Sequence, residues 1–210
     1  CRAYRLPCIS GKDSMKNDVM LGGEKISVPP TILFSLIGNH PDVRKAVSSD
    51  FKRPGDMIYL LGQTHQELGA SELSYMLREE GRGGIGGAIP RIDAERNLAA
   101  YHALSTAMSD GLVASAHDCS DGGLAVALAE CCFGADAGAS VTINGLWSDC
   151  EHLDTWGALF GESLGRILVS IRPEDCEAFE ATMADHSCHL LVAVTPGDEI
   201  TFFRNGETAL

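Results

Sequence analysis

From Asp56 onward, short apolar runs alternate with longer stretches of helical period, and this alternation limits the fold more than any other feature of the sequence. Asp56–Gly62 (DMIYLLG), Leu112–His117, Ser140–Ile143, Arg166–Ile171 and Leu190–Val194 read as strands, the first of them buried. Between them, Gln66–Glu80 carries Leu68, Leu73, Met76 and Leu77 near one stripe, as an amphipathic helix does. Asp93 caps a long helix to Ser109 that Gly111 stops, and Gly123–Phe133 is an Ala/Leu helix ended by Gly134. Helices also fit 151–160 and 173–184, the second opened by Pro173 in its first turn. Thr201-Phe202-Phe203 ahead of Asn205-Gly206 predicts a last hairpin, and the glycine-rich 81–90 (GRGGIGGAIP) predicts a loop. Strands and helices mixed in this order give an α+β fold, a mixed α/β sandwich.

The first fifty residues are organised differently. Residues 4–10 read as a strand feeding Gly11, and Gly22-Gly23 punctuates before Lys25–Val28. Pro29-Pro30 forbids helix, and Thr31–Gly38 (TILFSLIG) reads as a strand buried on both faces. His40-Pro41-Asp42 opens a short helix through about Ser48, and 51–55 (FKRPG) reads as a linker. The expected division is therefore 1–52 and 53–210. A start on Cys1 followed at once by an apolar segment is what an excised piece of a longer protein would show.

Charge and cysteine usage narrow the functional classes. A net charge of −13 argues against nucleic acid and anionic membranes as partners, both of which require basic patches. It leaves room for a small-molecule nucleotide, which needs only a local pocket and a metal ion. No apolar run is long enough to span a bilayer, and nothing resembles a signal peptide. The eight cysteines include no CxxC pair, so they read as reduced thiols packing as small hydrophobes in a cytoplasmic protein.

Four stretches could carry chemistry. In Pro7–Asp18 (PCISGKDSMKND) an apolar run meets Gly11, which lets a ligand approach the backbone, and Lys12 and Lys16, which suit phosphate. Asp13 and Asp18 offer the hard oxygens that Mg²⁺ prefers; a charged turn at a strand end is the alternative. In His117–Leu124 (HDCSDGGL) a strand ends in two aspartates and two glycines open a helix, a setting for an anion with a metal ion beside it. The alternative is that Asp121 merely caps the helix. Phe160–Arg166 (FGESLGR) offers Glu162 and Arg166 either as ligand contacts or as an ion pair at a helix–strand corner. Glu67–Glu72 (ELGASE) is either a polar contact or a helix start at Ser71-Glu72. Nucleophilic catalysis has little support: there is no G-x-S-x-G elbow, and the one suggestive pair, His117 beside Asp118, is expected to point to opposite faces of a strand.

Taken in order, SGKDSMKND, KISVPPTILFSLIG, KRPGDMIYLLG, ELGASE, HDCSDGGLAVALAE and FGESLGRILVSIRPED resemble the phosphoribosylformylglycinamidine synthase family. Its synthase region holds two tandem copies of a unit similar to aminoimidazole ribonucleotide synthetase, each with an N-type and a C-type subdomain. The resemblance implies that 1–52 ends the N-type subdomain of the second copy and that 53–210 is its C-type subdomain. It further implies a glutamine-dependent, ATP-consuming ligase of purine biosynthesis that converts formylglycinamide ribonucleotide into formylglycinamidine ribonucleotide. In that reaction ATP activates an amide oxygen and ammonia from glutamine displaces phosphate. ATP and Mg²⁺ would be required, with the first copy and a glutaminase domain or subunit as partners.

By the same resemblance, Gly11 and Lys12 would contact ATP, Ser14 substrate, and Asp13 and Asp118 a metal ion. Asp121, Gly122, Gly123, Glu162 and Arg166 would serve an auxiliary nucleotide. No catalytic residue is expected here, because the family's histidine lies in the first copy, and the piece should be inactive alone. Relatives carry GGNVS where this chain has Gly11-Lys12-Asp13-Ser14, and Leu164 replaces a substrate-binding glutamine of the first copy. Two other readings are a structural half-module holding an auxiliary nucleotide and a different ATP-using relative, such as a selenophosphate synthetase or thiamine-phosphate kinase.

Overall fold

The structure, a computed structural model, describes residues 1–12, 18–27, 32–84 and 86–210. It contains two compact units, Cys1–Arg44 and Lys45–Leu210. In the first, β1 (Val19–Leu21) and β2 (Glu24–Ile26) form an antiparallel hairpin across Gly22-Gly23. The strand expected over 4–10 is absent: residues 2–5 form a turn, and 6–10 have no regular structure. The strand expected over 31–38 is also not formed at residues 32–38, where Ile32, Leu33, Phe34, Leu36 and Ile37 are exposed. A strand buried on both faces needs neighbours to pair its backbone and cover its side chains. Among the described residues, this unit supplies only the three-residue hairpin. The short helix expected to Ser48 is reduced to a 3₁₀ turn at Val43–Lys45, after the Asp42 carboxylate accepts both the Arg44 backbone N–H and its guanidinium.

The second unit is built on one seven-stranded sheet. Its elements in chain order are β3 (Met57–Leu61), α1 (Glu72–Glu79), α2 (Ala94–Ser109), β4 (Val113–Asp118), α3 (Gly123–Phe133) and β5 (Ala137–Thr142). These are followed by α4 (Thr155–Phe160), β6 (Ile167–Ile171), α5 (Cys176–Met183), β7 (Cys188–Pro196), β8 (Ile200–Arg204) and β9 (Glu207–Thr208). The strand order is β4-β6-β3-β7-β5-β8-β9, antiparallel except for the parallel pair β5–β8. The expected α+β sandwich is the observed architecture.

Alternation along β3 decides the layering. Ile58 and Leu60 face a core completed by Leu124, Ala127 and Leu128 of α3 and by Ala158 and Leu159 of α4. Tyr59 and Leu61 face the opposite core, with Leu104 and Ala107 of α2 and Phe179 and Met183 of α5. The sheet is thus covered on both faces, which is why its central strands are nearly all apolar. Phe51 belongs to the first core, and its N–H donates to Cys131 O at 2.8 Å, so the presumed linker is built into this unit.

Three helices begin later than their periodicity suggests, each for a local reason. α1 starts at Glu72 because the Ser71 side chain accepts the Ser74 N–H, while Gly69 is pressed against the carbonyls of Gly87 and Ala88. α4 starts at Thr155 because the Asp154 carboxylate caps the Gly157 N–H at 2.7 Å. Pro173–Asp175 form a 3₁₀ turn before α5. Short polar side chains that capture an early N–H set helix starts more firmly than apolar spacing does.

Candidate functional site

One end of the sheet carries a cavity of about 390 Å³ between the C-terminal end of β4, the start of β6 and the α2 face. This volume lies within the range of small-molecule sites. Asp118, Ser120 and Asp121 form one lip. Pro90, Tyr101, Leu164 and Ile167 supply an apolar wall, and Glu162 and Arg166 close the remaining side.

β4 delivers Asp118 to its end, and the chain turns through Cys119-Ser120-Asp121 into α3. Ser120 Oγ donates to Asp118 Oδ2 at 2.5 Å, holding that carboxylate at the rim. Asp121 is exposed and is not the cap of α3; the cap is Gly122, which has no side chain of its own to accept an early N–H. Gly122 sits at φ +78, where a Cβ would lie 2.3 Å from Val126 Cγ2. Gly123 sits at φ +67, where a Cβ would lie 2.5 Å from Gly161 O. Both positions are in left-handed backbone that favours glycine; Gly122 is crowded by the Val126 side chain of α3 itself, and Gly123 by the backbone of the 159–161 segment.

The ion pair weighed for Glu162 and Arg166 does not form. Glu162 Oε1 instead accepts two backbone N–H groups, from Gly122 at 2.9 Å and from Glu72 at 2.8 Å. One carboxylate oxygen thereby ties the starts of α1 and α3. Arg166 is 1% exposed, and its guanidinium donates to Ser163 O at 3.2 Å, to Gly161 O and to Thr64 Oγ1 at 3.3 Å. Burial pushes this guanidinium below its ordinary range, while Cys119, Glu67, Asp149 and Glu162 oppose the shift. Arg166 holds the carbonyls on either side of Glu162 and so fixes where that carboxylate points.

The charge of the cavity follows from these contacts. Among the described residues its one lining cation, Arg166, is occupied by backbone and hydroxyl oxygens, and Glu162 is occupied by two N–H groups, leaving Asp118 and Asp121 at the rim. No cluster of three His, Cys, Asp or Glu able to hold a metal occurs among the described residues. Mg²⁺ is commonly held by one or two carboxylates together with phosphate oxygens and water, so Asp118 with Asp121 fits that ion arriving with a phosphate ligand. The apolar wall suits the uncharged face of such a ligand.

Gly11 and Lys12 lie in the first unit, exposed and without regular structure. Asp13 and Ser14 lie outside the described residues. Ser71 of ELGASE is a helix cap, and the buried Glu67 accepts the Arg91 N–H on Oε1 at 3.0 Å while its Oε2 is unpartnered.

The one pair suggested by the sequence is not joined: His117 Nδ1 stays 3.7 Å from the Asp118 carboxylate. Burial raises Cys119 to about 11 and Cys131 to about 12, leaving both thiols protonated at neutral pH. His117 Nδ1 meets the Asp118 carbonyl at 2.7 Å, and Nε2 lies 3.3 Å from Glu130 Oε2, so the ring engages α3. Sequence reasoning missed Asp149, whose Oδ2 accepts the Thr64 N–H at 2.9 Å and lies 3.0 Å from His189 Nε2. Ser187 Oγ meets that same nitrogen at 3.2 Å. Serine and aspartate on one ring nitrogen make a structural tie, not a proton relay. The sequence also gave no sign of Tyr101 or Pro90, since an aromatic on a helix and a proline in a loop carry no motif.

Comparisons with known proteins agree with this architecture. The family model of the AIR synthase related protein, C-terminal domain, matches residues 53–203. Phosphoribosylformylglycinamidine synthase subunit PurL of Anaeromyxobacter sp. (strain Fw109-5) is 41% identical over 188 residues, 86% of this chain and 23% of that protein. Among solved structures, Thermotoga maritima PurL complexed with FGAR superposes with a TM-score of 0.68 at 19% identity, over 80% of this chain and 28% of that one. The same protein complexed with ATP gives 0.61 at 19% identity, over 80% of this chain and 26% of that one. The chain thus spans about a quarter of the proteins it matches.

Proposed function

The chain belongs to the AIR synthase related family, whose C-terminal domain it carries over residues 53–203, and on that premise we propose that it is a segment of a phosphoribosylformylglycinamidine synthase. The observation that carries this reading is the 41% identity to a PurL subunit across 86% of the chain. The parent protein would be a cytoplasmic, ATP-consuming ligase of purine biosynthesis acting on formylglycinamide ribonucleotide. Its nitrogen would come from glutamine, through a glutaminase domain or subunit. ATP supplies the phosphoryl group that makes an amide oxygen a leaving group, and Mg²⁺ offsets the phosphate charge.

Within that protein, 1–52 would close an N-type subdomain and 53–210 would be the C-type subdomain of the second copy. Gly11 and Lys12 would line ATP, with Asp13 on the metal side and Ser14 toward substrate. Asp118 would hold Mg²⁺, and Asp121 with the Gly122-Gly123 turn would border an auxiliary nucleotide. Glu162 and Arg166 would shape that pocket from behind. Alone the segment would be inactive, because it contributes one wall of a site completed by the rest of the synthase. In the full-length protein, Lys12→Ala or Asp13→Ala should lower substrate-dependent ADP release by orders of magnitude; unchanged turnover in both variants would remove the loop from the ATP site.

A second reading is favoured by Leu164, which stands half-exposed at the cavity where the first copy of the family carries a substrate-binding glutamine. An apolar side chain cannot hydrogen-bond a glycinamide, so the pocket of 53–210 suits a tightly held nucleotide that does not turn over. Mass spectrometry of gently purified parent protein should then find stoichiometric ADP that survives dialysis. Absence of ADP, together with no protection by ATP, would count against it.

A further inference from the structure

Eight residues of the first unit fold back so that two sulfurs meet. Leu6 donates its N–H to Cys1 O at 3.0 Å, and Arg5 donates to Arg2 O at 3.2 Å, with Arg5 in left-handed backbone at φ +54. This closed turn sets Cys1 Sγ and Cys8 Sγ 3.2 Å apart. Both side chains are exposed, so burial of a small apolar group does not explain the approach. A disulfide needs about 2.05 Å between sulfurs, a displacement of roughly one ångström that side-chain rotation in an open turn can supply. The remaining described cysteines are buried or half-buried on the second unit.

We propose that Cys1 and Cys8 are a redox-modification site that closes into a reversible intrachain disulfide under a peroxide oxidant. The step balances: each thiol gives up one proton and one electron, the S–S bond forms, and hydrogen peroxide takes both protons and both electrons to become two waters. Attack proceeds through a sulfenic acid on one cysteine, which the other resolves by displacing water. A dithiol reductant reverses the bond by exchange. The pair needs no nucleotide and no metal, so this inference stands apart from the proposed ligase reaction.

The test is peptide mapping of the full chain after brief treatment with hydrogen peroxide and alkylation of the remaining thiols. Trypsin cuts after Arg2 and Arg5, so the bond appears as a cross-linked pair of peptides, one ending in Cys1-Arg2 and one spanning Leu6–Lys12. The expected result is this pair, its disappearance with dithiothreitol, and the loss of two alkylatable thiols. A Cys8→Ser form should lose the cross-link and carry Cys1 either alkylated or further oxidised. Recovery of both cysteines alkylated after peroxide, or both as sulfinic acids without a cross-link, would overturn the proposal.

Discussion

Glu162 Oε1 accepts the Gly122 N–H at 2.9 Å, so a side chain from the segment before β6 caps the start of α3 across forty residues of sequence. The same oxygen takes the Glu72 N–H, a further free N–H at the start of α1 beside its Ser71 cap. The wall of the cavity is therefore a fixed frame, and ligand contacts must be sought at its free rim. Charge-assisted hydrogen bonds of this kind contribute roughly 1.5–3 kcal/mol. Glu162→Ala should lower unfolding stability by about 2 kcal/mol and Glu162→Gln by about half as much, since one carbonyl oxygen still accepts. Urea midpoints of parent and variants measure this; an unchanged midpoint in Glu162→Ala would show that the carboxylate serves only a ligand.

Gly123 permits α3 to begin where Gly161 O crosses it, and no side chain fits that gap. Gly123→Ala places a Cβ against backbone and holds a non-glycine residue at positive φ. A loss of about 1–3 kcal/mol is expected, read as a lowered thermal midpoint.

Asp118 and Asp121 should behave in the opposite way. Neither caps a helix, and both stand at the rim. Asp118→Asn and Asp121→Asn should leave stability within about 0.5 kcal/mol of the parent. Calorimetric titration of the full-length protein with Mg-ADP should nevertheless show affinity reduced about tenfold or more in Asp118→Asn. Equal affinity in both variants would take the metal away from this lip.

Asp56 gives a pH dependence. It is 2% exposed, its Oδ2 has no partner, and Arg53 Nε lies 3.7 Å from Oδ1. Burial raises its carboxyl above the ordinary 3.8, with Arg53 and Arg172 opposing. The folded state therefore binds this proton more tightly than the unfolded state. Its contribution to stability is fully present below the ordinary value and is lost as pH rises through the raised one. Asp56→Asn should melt above the parent at neutral pH, and the gap should narrow as pH falls toward about 4.

Much of this was legible in the sequence, and the limits have physical causes. Strands β3, β4 and β6 and helices α2 and α3 carry strong apolar periods bounded by glycine or aspartate, and their bounds match to within a residue or two. The Asn205-Gly206 hairpin was equally plain, because that pair favours the left-handed backbone it adopts, at φ +52 and +82. TILFSLIG reads as a buried strand but is unpaired at residues 32–38, since hydrophobicity alone cannot supply a neighbouring strand. HDCSDGG was recognisable as a turn at a strand end, and the structure places Asp118 and Asp121 on one cavity. The bonds from Glu162 to Gly122 and from Arg166 to Thr64 join residues far apart in sequence, and no local pattern announces them.

As a segment of a larger protein, this chain is proposed to serve a formylglycinamide ribonucleotide ligase. The most direct measurement is ADP release by the full-length protein supplied with Mg-ATP, ammonia and formylglycinamide ribonucleotide, with each omitted in turn. ADP should form in step with formylglycinamidine ribonucleotide and should be abolished by leaving out the ribonucleotide. ADP release that is indifferent to that omission, or none with all three present, would contradict it.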